Sequence, residues 1–303
     1  MTSRLERVLS AGGFAVTAEI VPPRSADPET VRAQARALSG YADAANVTDS
    51  PTSAAHMSPV AGAALVAAEG IEPVIQLTAR DRNRIALTGD LLGAWAVGAR
   101  NVLCLTGDPV SGGDQPGAVE VRDLAVTDLV RLAVRLRDEG RSLGDHDIDP
   151  PPRYFVGVAD VPLADGYDPA RLEQKLDAGA QFVQTQIVYD VEALEGWAEL
   201  VRGRGVFDRA CVLVGVAPPR SVRSLAFMRE HLPGVVVPDA LVGRLDAADD
   251  PAEEGVRVAV EVIDRVRAIE GIRGVHVMGI GHMDSVRAVI EHAELLPRPE
   301  PSG

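Results

Sequence analysis

Short apolar runs rich in β-branched residues alternate with longer runs of helical spacing along the chain, and this alternation limits the fold more than any other sequence feature. It predicts repeated βα units and a parallel sheet. Asp168 and Pro169 are typical of a helix start, and Gly179 is typical of a helix end. Helices are predicted at, among others, 28–39, 84–98, 169–178 and 286–295. Strands are predicted at 14–20, 43–48, 72–78, 101–106, 154–160, 181–188, 210–217 and 274–280.

The number of units favours a closed barrel over a doubly wound sheet, because no G-x-G-x-x-G motif follows the first strand. A chain of 303 residues with 46% hydrophobic and 24% charged residues is able to bury one large core. We therefore predict the α/β class and a single (β/α)8 TIM barrel over 1–296. The proline-rich segment 297–303 is predicted to be a disordered tail.

Charge and composition exclude several classes of partner. The net charge of −14, with no compensating cluster of basic residues, argues against nucleic acid. No apolar run is long enough to span a bilayer and 1–10 lacks a signal-peptide core, so we predict a cytoplasmic protein with no membrane partner. Cys104 and Cys211 lie in apolar strand runs and are predicted to be buried thiols, and the scattered histidines predict no metal site. A homo-oligomer is left open.

Function in such a barrel gathers where strands end and βα loops begin. Glu19 interrupts an apolar strand, and is either a strand-end partner of Arg24 or a carboxyl in a partly dry mouth that donates a proton near neutral pH. Asp108 closes another apolar strand, and is either a turn former or a second functional carboxylate. The strand-end set is Glu19, Thr48, Gln76, Thr78, Asp108, Asp160, Gln186, Met278 and His282.

Lys175 is the only lysine among the 30 lysine and arginine residues. A chain that uses arginine everywhere else either needs a compact ammonium at this position or carries it by chance.

Several segments resemble the methylenetetrahydrofolate reductase family, in family order and over nearly the whole chain. The branch of the family that is also found fused to homocysteine methyltransferase domains is the most similar, through Thr48-Asp49-Ser50-Pro51 and Arg80-Asp81-Arg82-Asn83. The matching segments are 18–24 (AEIVPPR), 46–48 (NVT), 76–78 (QLT), 105–108 (LTGD), 175–180 (KLDAGA), 184–186 (QTQ), 215–218 (GVAP) and 275–278 (VHVM).

The resemblance implies a TIM barrel that binds FAD and reduces 5,10-methylenetetrahydrofolate to 5-methyltetrahydrofolate with NADH or NADPH. It implies that Glu19 is the acid that opens the substrate ring, that Asp108 contacts the pterin and influences the flavin, and that Gln186 binds the pterin edge. Val222 and Met278 would line the folate and nicotinamide site. The implied flavin-lining residues are Thr48, Gln76, Thr106, Gly107, Asp108, Asp160, Asp168, Arg171 and Lys175, with Lys175 near the phosphates.

The sequence departs from the family mainly on the flavin side. The family often has a histidine at Gln76 and an arginine at Thr106, and Val222 replaces a stacking phenylalanine. Glu19, Asp108 and Gln186, the folate-side set, are kept. The alternatives are direct hydride transfer from NADH without flavin, a non-catalytic barrel that binds folate or a partner, a phosphate-handling isomerase or aldolase, and another imine substrate.

Overall fold

The computed structural model describes residues 2–115 and 117–300, and in these ranges the strands close into a parallel (β/α)8 barrel in the order β1 to β8. β1 pairs with both β2 and β8, which closes the barrel. The predicted fold is therefore confirmed. The strands are β1 (Ala15–Ile20), β2 (Ala44–Val47), β3 (Pro73–Thr78), β4 (Asn101–Leu105), β5 (Phe155–Asp160), β6 (Phe182–Ile187), β7 (Cys211–Val216) and β8 (Ile272–Val277).

Helices cover the outer face of the barrel, and the main apolar core lies between them and the strands. The Asp168 side chain accepts the Ala170 N–H, so the helix start predicted there is confirmed. The helices in the described ranges are α1 (Arg4–Ser10), α2 (Glu29–Leu38), α3 (Pro59–Ala68), α4 (Arg84–Ala96), α5 (Val126–Asp138), α6 (Pro169–Asp177), α7 (Val191–Arg202), α8 (Val206–Arg209), α9 (Val222–His231), α10 (Asp239–Asp246), α11 (Pro251–Arg267) and α12 (Met283–His292).

The amino end of the barrel is filled by apolar side chains. Helix α1 places its buried residues, Leu5 among them, against a cluster inside the barrel. In that cluster the rings of Phe155 and Phe182 stack with their centroids 4.9 Å apart. Gly157 lies beside them, and a β-carbon there would come within 2.2 Å of the Phe182 ring. The inside of the barrel is therefore closed by a packed floor at this end.

One sequence prediction needs correction. Strand β8 runs over Ile272–Val277 instead of 274–280, because the chain leaves the sheet at the Gly279-Ile280-Gly281 turn, where Ile280 has φ 47°. The segment predicted to be a disordered tail contacts the barrel through Arg298. Arg298 donates to the Phe14 carbonyl at 2.7 Å and to Asp43 Oδ2 at 2.6 Å, which fixes it to the barrel. Residues 301–303 of that prediction lie outside the described residues.

Cys104 is buried and Cys211 is partly buried, and both are free thiols. In 2–115 and 117–300, no group of three or more His, Cys, Asp or Glu is arranged to hold a metal ion. No helix in the described part of the chain combines the length and the apolar character needed to cross a membrane.

Candidate active site

Glu19 lies at the carboxyl end of β1, and its side chain is 19% exposed. Its Oε2 lies 4.0 Å from Nε2 of His276 on the neighbouring strand β8. Arg24, which the sequence offered as a partner, pairs with Asp114 at 3.5 Å instead. The Glu19 carboxyl is therefore at the barrel mouth without the ion pair that would make it a purely structural strand-end residue.

A buried layer of polar side chains lies directly beneath Glu19. His276 Nδ1 is 3.0 Å from Thr17 Oγ1, and Gln184 Nε2 donates to the same oxygen at 3.0 Å. Gln184 and Asn46 exchange two amide hydrogen bonds, of 2.6 and 3.1 Å. These four residues come from β1, β2, β6 and β8, so the layer crosses the inside of the barrel.

The hydrogen bonds of this layer orient the imidazole. Because Thr17 Oγ1 already accepts from Gln184, its own proton is available for His276 Nδ1. The other ring nitrogen, Nε2, faces Glu19. A separation of 4.0 Å is too long for a direct hydrogen bond, but it allows contact after a small side-chain movement.

Sequence reasoning missed this layer as a functional group, although its signal is present. Successive residues of a strand point to opposite faces, so a residue two positions before a mouth residue faces the same interior. Thr17 precedes Glu19 in this way, and so do the other polar members of the layer relative to their own strand ends. In any barrel whose strand ends are known, polar residues two positions before those ends therefore indicate such a layer.

Asp108 lies in the loop after β4 and is exposed. Its Oδ2 accepts the Thr52 N–H at 2.9 Å, and its carbonyl accepts the Ser53 hydroxyl at 2.8 Å and Arg80 Nη1 at 3.0 Å. Asp108 thus ties the loops after β2, β3 and β4 together and is not confined to its own turn. Its Oδ1 has no hydrogen-bond partner among the described residues and is available to a ligand.

Gly107, beside Asp108, is required by the backbone. It has φ 87°, and a β-carbon would lie 2.8 Å from the Arg80 β-carbon. Thr106 is exposed at the same loop.

Gln186 lies at an irregularity of the sheet, where the register between β6 and β7 shifts between Gln184 and Ile187. Its Oε1 accepts the Ile187 N–H at 3.0 Å, and its Nε2 lies 3.4 Å from the Pro233 carbonyl. Such bulges re-aim side chains near active sites. Val222 and Met278 both pack against one apolar cluster at the ends of β6 to β8, so these two predicted substrate-binding residues lie on the same side of the mouth.

The residues on the proposed flavin side fall into two groups. Thr48 is 3% exposed, and its Oγ1 is buried without a hydrogen-bond partner in the described structure. The buried Gln76 amide likewise has no side-chain hydrogen bond within 2–115 and 117–300. Thr48 and Gln76 therefore have polar groups without partners that can form hydrogen bonds to a planar ring.

Three residues of the second group already make hydrogen bonds within the protein. Lys175 is partly buried and donates to the Ala159 carbonyl at 2.6 Å, and burial lowers its pKa. Asp160 accepts the Tyr167 hydroxyl at 2.8 Å, and burial raises the pKa of its carboxyl against the opposing effects of Tyr167 and Lys175. Asp168 caps α6, and both Asp168 and Arg171 are exposed. The bond to the Ala159 carbonyl uses one of the three N–H donors of the Lys175 ammonium, and the other two have no hydrogen-bond partner among the described residues.

Comparison with known proteins finds relatives of this chain. Methylenetetrahydrofolate reductase 1 of Schizosaccharomyces pombe is 28% identical over 239 residues, which cover 75% of this chain and 36% of that protein. The 5,10-methylenetetrahydrofolate reductase of Pectobacterium carotovorum is 25% identical over 211 residues, covering 68% of this chain and 64% of that protein. The chain thus spans about a third of the length of the fungal relatives it matches, whose covered shares are 36% and 37%.

A solved structure shares the fold. An uncharacterized protein from Clostridium thermocellum that binds two copies of 5-methyl-5,6,7,8-tetrahydrofolic acid superposes with a TM-score of 0.67 at 15% identity, covering 97% of this chain and 100% of that one. The family profile described as Methylenetetrahydrofolate reductase matches residues 4–294. The chain therefore belongs to the methylenetetrahydrofolate reductase family.

Proposed function

We propose that this chain reduces 5,10-methylenetetrahydrofolate to 5-methyltetrahydrofolate with hydride from NADH or NADPH, at the carboxyl end of the barrel. The observation that carries the proposal is the Glu19 carboxyl at the mouth, held over a buried polar layer and facing His276 at 4.0 Å. Family membership and the folate bound by the Clostridium thermocellum protein support the substrate class.

Glu19 supplies the proton that the reaction requires. Hydride reaches the bridging carbon only after the bond from that carbon to N10 breaks, and N10 is a poor leaving group unless it is protonated. Protonation by Glu19 therefore releases N10 and leaves an iminium at N5, which accepts hydride to become the methyl group. One hydride and one proton are consumed for each folate reduced. The nicotinamide is oxidised.

The other proposed residues bind and orient the folate. Asp108 Oδ1 and the Gln186 amide would hold the pterin edge, and Val222 with Met278 would contact the rest of the folate. Glu19 stands beside the bridging carbon when the pterin lies across the mouth between these groups. Holding the reacting atoms in this way lowers the entropic part of the barrier.

We propose FAD as the hydride carrier, with Thr48 and Gln76 on its ring side; bound flavin would accept hydride from the nicotinamide and pass it to the folate. A second candidate is direct transfer from NADH, and one observation favours it: Gln76 and Thr106 stand where the family often has a histidine and an arginine on the flavin side. A visible absorption spectrum of the purified protein separates the two, since released flavin after denaturation supports the first and its absence the second.

Glu19→Gln tests the proposed reaction. The amide keeps the shape and cannot transfer the proton, so folate reduction should fall by about 10²–10⁴-fold. Oxidation of NAD(P)H by an artificial acceptor needs no such protonation and should survive. Stopped-flow and steady-state assays measure both activities, with Glu199→Gln on the exposed face of α7 as the matched control. Equal losses in both assays would make Glu19 structural, and full retention of folate reduction would move the acid role elsewhere.

A further inference from the structure

Arg80 follows strand β3, and its guanidinium is almost completely buried among the loops at the barrel mouth. The side chain is 3% exposed. Its Nε and Nη2 donate to the two carboxylate oxygens of Asp81, at 2.6 Å each. Its Nη1 donates to Ser53 Oγ at 2.7 Å and to the Asp108 carbonyl at 3.0 Å. One edge of the guanidinium therefore forms an ion pair, and the other edge joins the loops after β2 and β4.

The segment that Arg80 contacts, residues 50–53, has a strained backbone. Ser50, Thr52 and Ser53 have φ values of 47°, 54° and 57°, in the left-handed region that favours glycine. Thr52 is β-branched, which makes this conformation a clear outlier. Arg80 binds the Ser53 hydroxyl, and its Nη2 lies 3.5 Å from the Ser50 carbonyl. Strain of this kind persists only where the surrounding structure holds it, and the contacts of Arg80 do so here.

The strained segment in turn fixes the direction of the Asp108 carboxylate. With Thr52 in the left-handed region, its N–H donates to Asp108 Oδ2 at 2.9 Å. The Ser53 hydroxyl lies 2.8 Å from the Asp108 carbonyl, so this segment holds both the side chain and the backbone of Asp108. An exposed aspartate otherwise exchanges among staggered rotamers. These contacts select the rotamer in which Oδ1 is presented to a ligand.

Close packing leaves the loops little room to relax into another arrangement. A β-carbon on Gly107 would lie 2.8 Å from the Arg80 β-carbon, and one on Gly113 would lie 2.1 Å from the Ser53 carbonyl oxygen. The Arg80 carbonyl also accepts the Val121 N–H at 2.8 Å. The loops after β2, β3 and β4 therefore form one unit, with the Arg80 guanidinium buried between them.

A guanidinium suits this position better than an ammonium does. It has five N–H donors in one plane, so its two edges can bind Asp81 and the neighbouring loops at the same time. A lysine ammonium has three donors on a single nitrogen and reaches only one of these sites. Arg80 binds the carbonyl of Asp108 and not its carboxylate, which has no ion-pair partner among the described residues. The carboxylate is thus oriented without being neutralised.

We propose that Arg80 is a positioning residue for Asp108: it holds the strained 50–53 segment, and this segment directs the carboxylate toward the bound substrate. The inference rests on the proposed function, in which Asp108 Oδ1 holds the pterin edge. Arg80 is buried and its guanidinium is bound within the protein. Its effect on the folate should therefore pass entirely through Asp108, which separates a positioning role from a general role in folding.

A double-mutant cycle on folate affinity tests the proposal. The probe is 5-methyltetrahydrofolate, and calorimetry measures its Kd for wild type, Arg80→Met, Asp108→Ala and the double variant, under conditions in which circular dichroism shows each to be folded. Arg80→Met should weaken binding by about tenfold, the effect of one charge-assisted hydrogen bond. Asp108→Ala should weaken it at least as much. The double variant should bind like Asp108→Ala alone, whereas independent effects would multiply.

Three further variants separate hydrogen bonding from charge and from folding. Arg80→Lys keeps the charge but cannot bind both sites, so it should lose most of the same affinity. Ser53→Ala removes the hydroxyl between Arg80 and the Asp108 carbonyl, and it should show the same non-additive loss with less disturbance of the loops. Arg84→Met is the matched control. It removes an exposed arginine that is paired with Asp123 and does not contact Asp108, so it should bind as wild type does.

The outcomes distinguish this inference from the proposed function. Losses that multiply in the double variant would overturn the inference and make Arg80 a structural residue, while the proposed function would stand. Wild-type affinity in Arg80→Lys would overturn it by assigning the effect to charge alone. In steady-state folate reduction the loss in Arg80→Met should appear in KM with kcat little changed, because Glu19 is not moved, and a loss confined to kcat would contradict the inference. Failure of wild type to bind the probe would overturn the proposed function and this inference with it.

Discussion

His276 is the residue whose surroundings best explain how Glu19 is held. It is 4% exposed, and its two ring nitrogens have different tasks: Nδ1 meets the buried polar layer, and Nε2 faces the carboxyl at the mouth. A group fixed on one side by Thr17 presents the other side in a defined direction. We therefore assign His276 as a positioning residue for Glu19.

His276→Asn should lower folate reduction by about 10- to 100-fold, less than the loss of the acid itself, because Glu19 remains but is no longer oriented. His276 orients the acid and does not itself bind the folate, so the loss should fall on kcat, with the KM for folate little changed. Oxidation of NAD(P)H by an artificial acceptor is the internal reference. Thr17→Ser keeps the hydroxyl and should behave as wild type. An equal loss of both activities in His276→Asn would show that the residue serves only the packing of the barrel.

The sequence identified the strand-end residues of the site because strand ends in a barrel share one face. It did not show which of these side chains are already hydrogen-bonded within the protein. Lys175 illustrates the limit, since its being the only lysine suggested a ligand, whereas the structure places its ammonium on the Ala159 carbonyl. A contact between a helix side chain and the end of the preceding strand depends on tertiary packing, which residue type and spacing do not encode.

At the scale of elements, strand positions were predictable and their ends were less so. The apolar run of β8 continues into Met278 and Ile280, so hydrophobicity alone extends the strand past Val277, where it ends. Helix α1 was not predicted, since seven residues give little periodicity. Its role as the floor of the barrel becomes visible only when Leu5 is seen inside the ring of strands.

Helix α6 is joined to β5 through Lys175, and this connection predicts a pH effect on stability. Burial lowers the folded-state pKa of Lys175 below its ordinary value of 10.5. Between these two pKa values the unfolded chain binds the proton more strongly, so the free energy of unfolding rises with pH in that window. Lys175→Met keeps the stem and removes the titration. The stability of wild type relative to the variant should therefore increase as the pH approaches 10.5.

Urea denaturation followed by circular dichroism at several pH values measures this difference. At pH 7 the two proteins should differ by about 1 kcal/mol or less, because the lost hydrogen bond and the relieved burial of charge offset each other. Lys175→Arg retains a charge and serves as the control. A constant difference across the alkaline range would contradict the assignment. If Lys175→Met also loses bound flavin, the ammonium moves to a phosphate when the cofactor binds.

In the whole molecule, the residues proposed for chemistry and the residues that stabilise the barrel lie at opposite ends of its axis. The mouth carries Glu19 and the loops, and the opposite end carries the floor and the contacts of both chain ends. Asp43 connects the two terminal segments to the barrel. Its Oδ2 accepts hydrogen bonds from the Val16 N–H at 2.9 Å and from Arg298 at 2.6 Å. Arg4 lies 3.4 Å from its Oδ1. The contact of Arg298 could not be predicted from the sequence, because a proline-rich segment shows no periodicity and Asp43 is 255 residues away in the sequence.

Arg298→Met should destabilise the protein without changing its chemistry. The Arg298 side chain is 5% exposed and that of Asp43 is fully buried, so the substitution leaves a buried carboxylate with only the more distant Arg4 for compensation. Breaking a buried pair in this way costs about 3–5 kcal/mol. The expected result is a lower urea midpoint with an unchanged slope, together with wild-type folate reduction at temperatures where the variant is folded, because Glu19 lies at the other end of the barrel.

Asp43→Asn with Arg298→Met removes both charges and should recover part of the loss, as a double-mutant cycle would show. Wild-type stability of Arg298→Met would mean that the tail contributes nothing, and a selective loss of folate reduction in a fully folded variant would mean that the two ends of the barrel are coupled.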